Sequence, residues 1–156
     1  MTEKTCAFTG HRVIAISRRA EIEKRLEEVL SSLIDKGVTT FIAGGALGFD
    51  TLAEKAVLKL KKAYPHIKLH LILPCPEQDV KWREQDKAVY RDMLDMADST
   101  EYVSDRYTDS CMLDRNRKMV DEADALVAFY DGRKRSGTAM TVNYAAKKGI
   151  PIINLF

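Results

Sequence analysis

Two kinds of hydrophobic pattern alternate along the chain. Thr5–Thr9 is a short, strand-like apolar run, and Ile22, Leu26, Val29, Leu30 and Leu33 then recur at helical spacing until Gly37 stops the helix. A second strand is predicted over Thr39–Ala43. The helix after it has Leu52, Ala56, Val57 and Leu60 on its apolar face, and Thr51 with Glu54 reads as a capping box at its start. The alternation continues with a strand over Lys68–Leu73, a helix over Trp82–Met96, a weaker strand over Thr100–Val103 and a helix over Asp109–Glu122. Ala125–Tyr130 is a strongly apolar strand. The last helix begins near Gly137 with Val142, Ala145 and Ala146 on one face, ends at Gly149 and leads to a final strand over Ile150–Leu155. Strands separated by covering helices are what parallel pairing needs, so the expected class is α/β, a Rossmann-like three-layer sandwich with a mostly parallel sheet.

Length and composition fit this picture. A chain of 156 residues needs only one hydrophobic core, so residues 1–156 are expected to form a single domain. There is no internal repeat or linker, and Pro74–Lys81 reads as a loop. A hydrophobic fraction of 46% with 31% charged residues is that of an ordinary globular protein. No apolar run approaches the ~18 residues of a bilayer span, and Met1-Thr2-Glu3-Lys4 leads directly into the first strand. The expectation is a cytoplasmic protein without a membrane partner.

Three widely spaced cysteines and three histidines make neither a disulfide framework nor a metal site, so no metal is expected. A net charge of +2 is small for a protein that grips nucleic acid by its phosphates, which makes a nucleic-acid partner unlikely on charge alone. The local clusters Arg115-Asn116-Arg117-Lys118 and Arg133-Lys134-Arg135 carry more information.

In an open parallel sheet, ligands bind beyond the carboxyl ends of the strands. There the sequence places Thr9-Gly10-His11-Arg12 after the first strand and Gly44-Gly45-Ala46-Leu47-Gly48-Phe49-Asp50 after the second. Glycine-rich turns that open helices let backbone amides approach an anion, though such glycines also serve tight turns and close packing. After the fifth strand, Asp131-Gly132-Arg133-Lys134-Arg135-Ser136-Gly137-Thr138 has the makings of a second anion site. Asp50 is read either as an N-cap or as an acceptor for ribose hydroxyls. His11 is read as a polar contact or a proton carrier. Arg115 and Arg117 point to different faces of their helix, so one site cannot use both in the same way. Absent are a GxxxxGK[ST] run, a GxGxxG after the first strand and a GxSxG elbow, which excludes a P-loop nucleotidase and disfavours a standard nicotinamide dehydrogenase.

Taken in order, Thr9–Arg12, Gly44-Gly45-x-x-Gly48-x-Asp50, Arg115–Asp121 and Ser136-Gly137-Thr138 with Thr141–Ala145 resemble the YpsA-like proteins of the SLOG superfamily, which also contains the DprA and LOG proteins. The resemblance covers nearly the whole chain. It implies binding or sensing of a nucleotide or of an NAD- or ADP-ribose-derived ligand by Gly10, His11, Arg12, Gly44, Gly45, Gly48, Asp50, Arg115, Asn116, Arg117, Ser136, Gly137 and Thr138. It also implies a homo-oligomer, since superfamily members commonly pair. A LOG-like N-glycosidic hydrolase is the alternative. There Gly137-Thr138 matches the GT of PGGxGTxxE and Arg117-Lys118 resembles the arginine stretch, but Thr141 stands where the catalytic glutamate belongs. DprA-like binding of single-stranded DNA is a second alternative, for which the chain offers only local cation clusters.

Overall fold

A computed structural model describes residues 3–156. Its strands are β1 (Lys4–Gly10), β2 (Val38–Ala43), β3 (Lys68–Leu73), β4 (Ser99–Tyr102), β5 (Ala125–Phe129) and β6 (Ile152–Asn154). Between them run helices α1 (Arg19–Asp35), α2 (Phe49–Lys61), α3 (Glu84–Met96), α4 (Cys111–Asp121) and α5 (Gly137–Lys148). A single 3-10 turn, Ile16–Arg18, precedes α1. All six strands are parallel, in the order β4-β3-β2-β1-β5-β6. The sheet is therefore wholly parallel where mostly parallel was expected.

Both faces of the sheet are covered at its centre, which is why β1 and β5 read as continuous apolar runs, whereas the edge strand β4, Ser99–Tyr102, is polar and largely exposed. Cys6 and Phe8 of β1, Phe41 of β2, Leu69 and Leu71 of β3 and Val127 of β5 point into one core with Ile22, Leu26 and Leu30 of α1 and Val57 of α2. The intervening residues Ala7, Ile42, Ile72 and Leu126 point into the other core, against Met119 and Val120 of α4 and Ala145 of α5. The helices thus split into two layers around the sheet.

Strand order reverses at β1. Successive crossovers build outward from β1 to β4, and the chain then returns to place β5 on the other side of β1. The loops leaving β1 and β5 diverge to opposite faces and open a crevice at their carboxyl ends, the place where this class of sheet binds ligands.

Local differences from the sequence reading have physical causes. The expected capping box of α2 does not form. Gly48 precedes the helix at φ +78°, and Thr51 lies inside it with its hydroxyl donating to the Ala46 carbonyl at 3.1 Å. The turn is pinned instead by the Phe49 amide, which donates to the His11 carbonyl at 3.1 Å. The last strand starts two residues later than predicted, after Pro151, which has no amide to contribute to pairing. Trp82 lies just before α3, edge-on to Tyr90 with ring centroids 5.2 Å apart.

Candidate functional site

At the carboxyl ends of β1 and β5 lies an open pocket of about 390 Å³. The β1–α1 loop contributes Gly10, His11 and Arg12, and α2 contributes Asp50. From α4 come Met112, Arg115, Asn116 and Met119, and from the start of α5 come Ser136, Gly137 and Thr138.

Helix α4 presents its four residues at i, i+3, i+4 and i+7, so a single helical face carries both the apolar wall and the polar groups. Arg115 is only 4% exposed. Its Nη1 donates to the Gly44 carbonyl and its Nε to Asn116 Oδ1 at 2.8 Å. Burial works against its charge, and nearby Asp50 supports it. Asp50 is buried as well; desolvation pushes its carboxyl up, while Arg115, the Ala46 amide and Arg12 pull it back. One carboxylate thus faces two guanidiniums, and the balance of charge around the pocket favours an anion.

Helix α5 adds a second attraction. Ser136 is extended at φ −159° and caps the helix, its Oγ accepting from the Ala139 amide at 3.0 Å. The amides of Gly137 and Thr138 follow at the positive end of the helix, where backbone donors have no intrahelical partner. A Cβ on Gly137 would meet nothing nearer than Asn116 Nδ2 at 3.9 Å, so this helix start faces open space.

The β2–α2 turn behaves differently. A Cβ on Gly44 would lie 2.6 Å from Arg115 Nη1, one on Gly45 2.6 Å from Leu73 Cδ2, and one on Gly48 2.3 Å from the Arg12 carbonyl oxygen. These glycines serve close packing. The amides of the turn are directed at the chain's own carboxylates: Ala46 donates to Asp50 Oδ2 at 3.2 Å, and the Gly45 amide addresses Glu54. Gly10 likewise packs on Phe49, which would lie 2.5 Å from an added Cβ.

His11 ties two loops together. Its Nε2 lies 2.9 Å from Asp131 Oδ1 and accepts the Asp131 amide at 3.0 Å, while its own amide donates to the Phe129 carbonyl at 3.3 Å. Arg133 chelates the same Asp131 through Nε and Nη2, at 3.0 and 2.6 Å to Oδ2, and holds that carboxyl far below its ordinary range. The arrangement fixes the β5–α5 loop beside β1.

Nine of the residues singled out from sequence, Gly10, His11, Arg12, Asp50, Arg115, Asn116, Ser136, Gly137 and Thr138, therefore border one pocket. Gly44 sits behind Arg115, and Gly45 and Gly48 wall a separate recess. Arg117 leaves the pocket as well. Its guanidinium lies 5.9 Å from the Tyr144 ring centroid, in a groove between α4 and α5. Arg133, part of the second anion site read from the sequence, also borders the pocket; Met112, Met119 and Glu54 were not singled out as site residues, and the helical spacing of Met112 and Met119 around Arg115 is the signal that could have found the first two.

Among the described residues, no group of three or more His, Cys, Asp and Glu is placed to hold a metal ion, and no helix is long and apolar enough to cross a membrane.

Comparison with known proteins agrees with this architecture. The chain is 38% identical over 140 residues to the uncharacterised SPbeta prophage-derived protein YoqJ of Bacillus subtilis, covering 81% of each chain. Its fold is similar to that of DNA processing protein A from Streptococcus pneumoniae, with a TM-score of 0.70 at 18% identity; the match covers 97% of this chain and 50% of that one. The corresponding protein of Helicobacter pylori, known for its single-stranded DNA binding mode, matches at TM-score 0.67 and 20% identity, over 98% of this chain and 65% of that one. Residues 7–153 match the model of the YspA SLOG family, and the chain belongs to that family.

Proposed function

We propose that the protein binds a phosphate-bearing nucleotide or nucleotide-derived ligand, such as an NAD- or ADP-ribose-type molecule, in the pocket between β1 and β5. The observation that carries this reading is the convergence of Arg12, Arg115 and the open α5 N-terminus on one cavity of nucleotide size. Each contribution is modest: a partly buried helix terminus adds about 1–2 kcal/mol to anion binding, and a charge-assisted hydrogen bond about 1.5–3 kcal/mol. Together they fit a phosphate. Asp50 is the carboxylate placed to accept from sugar hydroxyls, and Met112 with Met119 offers an apolar face to a base. Three unpaired, buried cysteines suit a reducing compartment such as the cytosol.

The test is a thermal-shift screen with AMP, ADP, NAD and ADP-ribose, with each mixture assayed for released base. A ligand at ~100 times its dissociation constant adds about 2.7 kcal/mol, or roughly 5–10 °C in a chain of this size. Silence from the whole panel would remove the proposal. Base release would convert it into an N-glycosidic hydrolase, although Thr141 contributes no carboxylate and its hydroxyl turns back onto the Gly137 carbonyl at 2.9 Å.

A second reading, single-stranded nucleic acid, is favoured by one feature. Beside the pocket runs a groove of about 520 Å³ with Arg12, Arg19, Lys81 and Arg83 around Trp82, which combines backbone charge with a stacking surface. A short DNA oligonucleotide that outbinds every mononucleotide, with affinity falling steeply with salt, would establish it.

A further inference from the structure

The β2–α2 turn also walls a second, smaller cavity. Gly45, Gly48, Glu54, Trp82 and Tyr90 line a recess of about 140 Å³. That is the liquid share of about five waters, room for one flat ring system and too little for a nucleotide, whose pockets begin near ~300 Å³.

Glu54 has no evident structural task that uses both of its oxygens. It is 2% exposed, and its Oε2 lacks a hydrogen-bond partner. Desolvation, followed by the negative charge of Asp50, pushes its carboxyl well above the ordinary range. A carboxyl group kept neutral has an O–H to donate, and leaving a buried polar group unpaired costs about 1–3 kcal/mol. Trp82, half-buried and braced edge-on by Tyr90, supplies an aromatic wall to the same recess. One buried donor beside one aromatic wall matches a flat ring that carries an acceptor in its plane.

We infer that this recess binds an uncharged nitrogen heterocycle of the nucleobase type, which packs against Trp82 and accepts a hydrogen bond from Glu54 through a ring nitrogen or carbonyl. The groove with Arg12, Arg19, Lys81 and Arg83 borders the recess at Leu47, Gly48, Trp82 and Asp86, so a base can reach it free or carried on a phosphate backbone. The recess is distinct from the pocket between β1 and β5. An uncharged probe therefore tests it independently of the phosphate reading.

Trp82 is the chain's one tryptophan, so its fluorescence reports on this cavity. Adenine, cytosine and uracil are titrated as free bases, and the best of them again as a nucleoside and within a dinucleotide. At least one base is expected to quench Trp82 saturably. Glu54→Gln, whose amide still donates, keeps the affinity within about threefold, and Glu54→Leu loses at least about tenfold. Tighter binding of the dinucleotide identifies a nucleic-acid strand as the source, and equal binding identifies a free base. Because Glu54→Leu alters a buried group, amide shifts in the unmodified protein provide a second reading: the base moves Gly45 and leaves Gly137 in place. Non-saturating quenching by all three bases, or full affinity in a folded Glu54→Leu variant, would overturn the inference.

Discussion

Asp50 and Glu54 lie one helical turn apart on α2, both buried, and desolvation raises both carboxyls, Glu54 well above its ordinary range. Asp50 has Arg115 and Arg12 to offset its desolvation, whereas the charge of Asp50 adds to the desolvation of Glu54. Glu54 therefore holds its proton in the folded chain when an unfolded chain has already lost it. Stability tied to this group is complete below its ordinary value of 4.5 and declines as pH rises from there toward the raised folded value. Glu54→Gln removes that decline. The variant is predicted to match the parent in urea melts near pH 4 and to exceed it increasingly toward neutrality; parallel pH profiles would contradict a raised Glu54.

The two arginines of α4 separate just as clearly. Arg115→Ala strands a buried Asp50 and the Gly44 carbonyl, and should cost about 3–5 kcal/mol in chemical denaturation. Arg117→Ala, remote from the pocket, should leave nucleotide affinity unchanged. Sequence could show that the two point apart, since residues at i and i+2 must, but not which one faces inward. That choice was settled by Met112 and Met119, which share the Arg115 face.

At the scale of elements, the glycines of the β2–α2 turn were visible in sequence but their purpose was not. A glycine that admits a phosphate and one that admits a neighbouring carbonyl look alike until the β1–α1 loop is in place. Gly48 and Gly149 make the distinction measurable. Both have positive φ, +78° and +77°, but a Cβ on Gly48 would meet the Arg12 carbonyl at 2.3 Å and one on Gly149 would meet nothing within 4 Å. Gly149→Ala should cost only the left-handed penalty, about 1–2 kcal/mol. Gly48→Ala must also displace the β1–α1 loop, so denaturant midpoints should show a clearly larger loss. Equal losses would mean that the close approach is unimportant. The capping box expected from Thr51 and Glu54 failed for a related reason: the turn was closed from outside the helix, by Phe49 on the His11 carbonyl, leaving Glu54 to the recess.

For the whole molecule, the order of strands and helices was legible because each parallel return needs a covering helix and the central strands β1 and β5 are apolar on both faces. Which strands neighbour one another was not. Chain order alone does not say that β5 returns to pair with β1, and that return creates the crevice. The central claim is that the crevice holds a phosphate at the start of α5, and Gly137 tests it most directly. Its Cβ position is open, with nothing nearer than 3.9 Å, so Gly137→Asp brings a carboxylate to the anion donors from an uncrowded position. Isothermal titration calorimetry of the tightest-binding nucleotide should show a loss of at least about tenfold in the variant, equivalent to about 1.4 kcal/mol, with a melting temperature no lower than the parent's in the absence of ligand. Undiminished affinity in the folded variant would place the phosphate elsewhere and contradict the account.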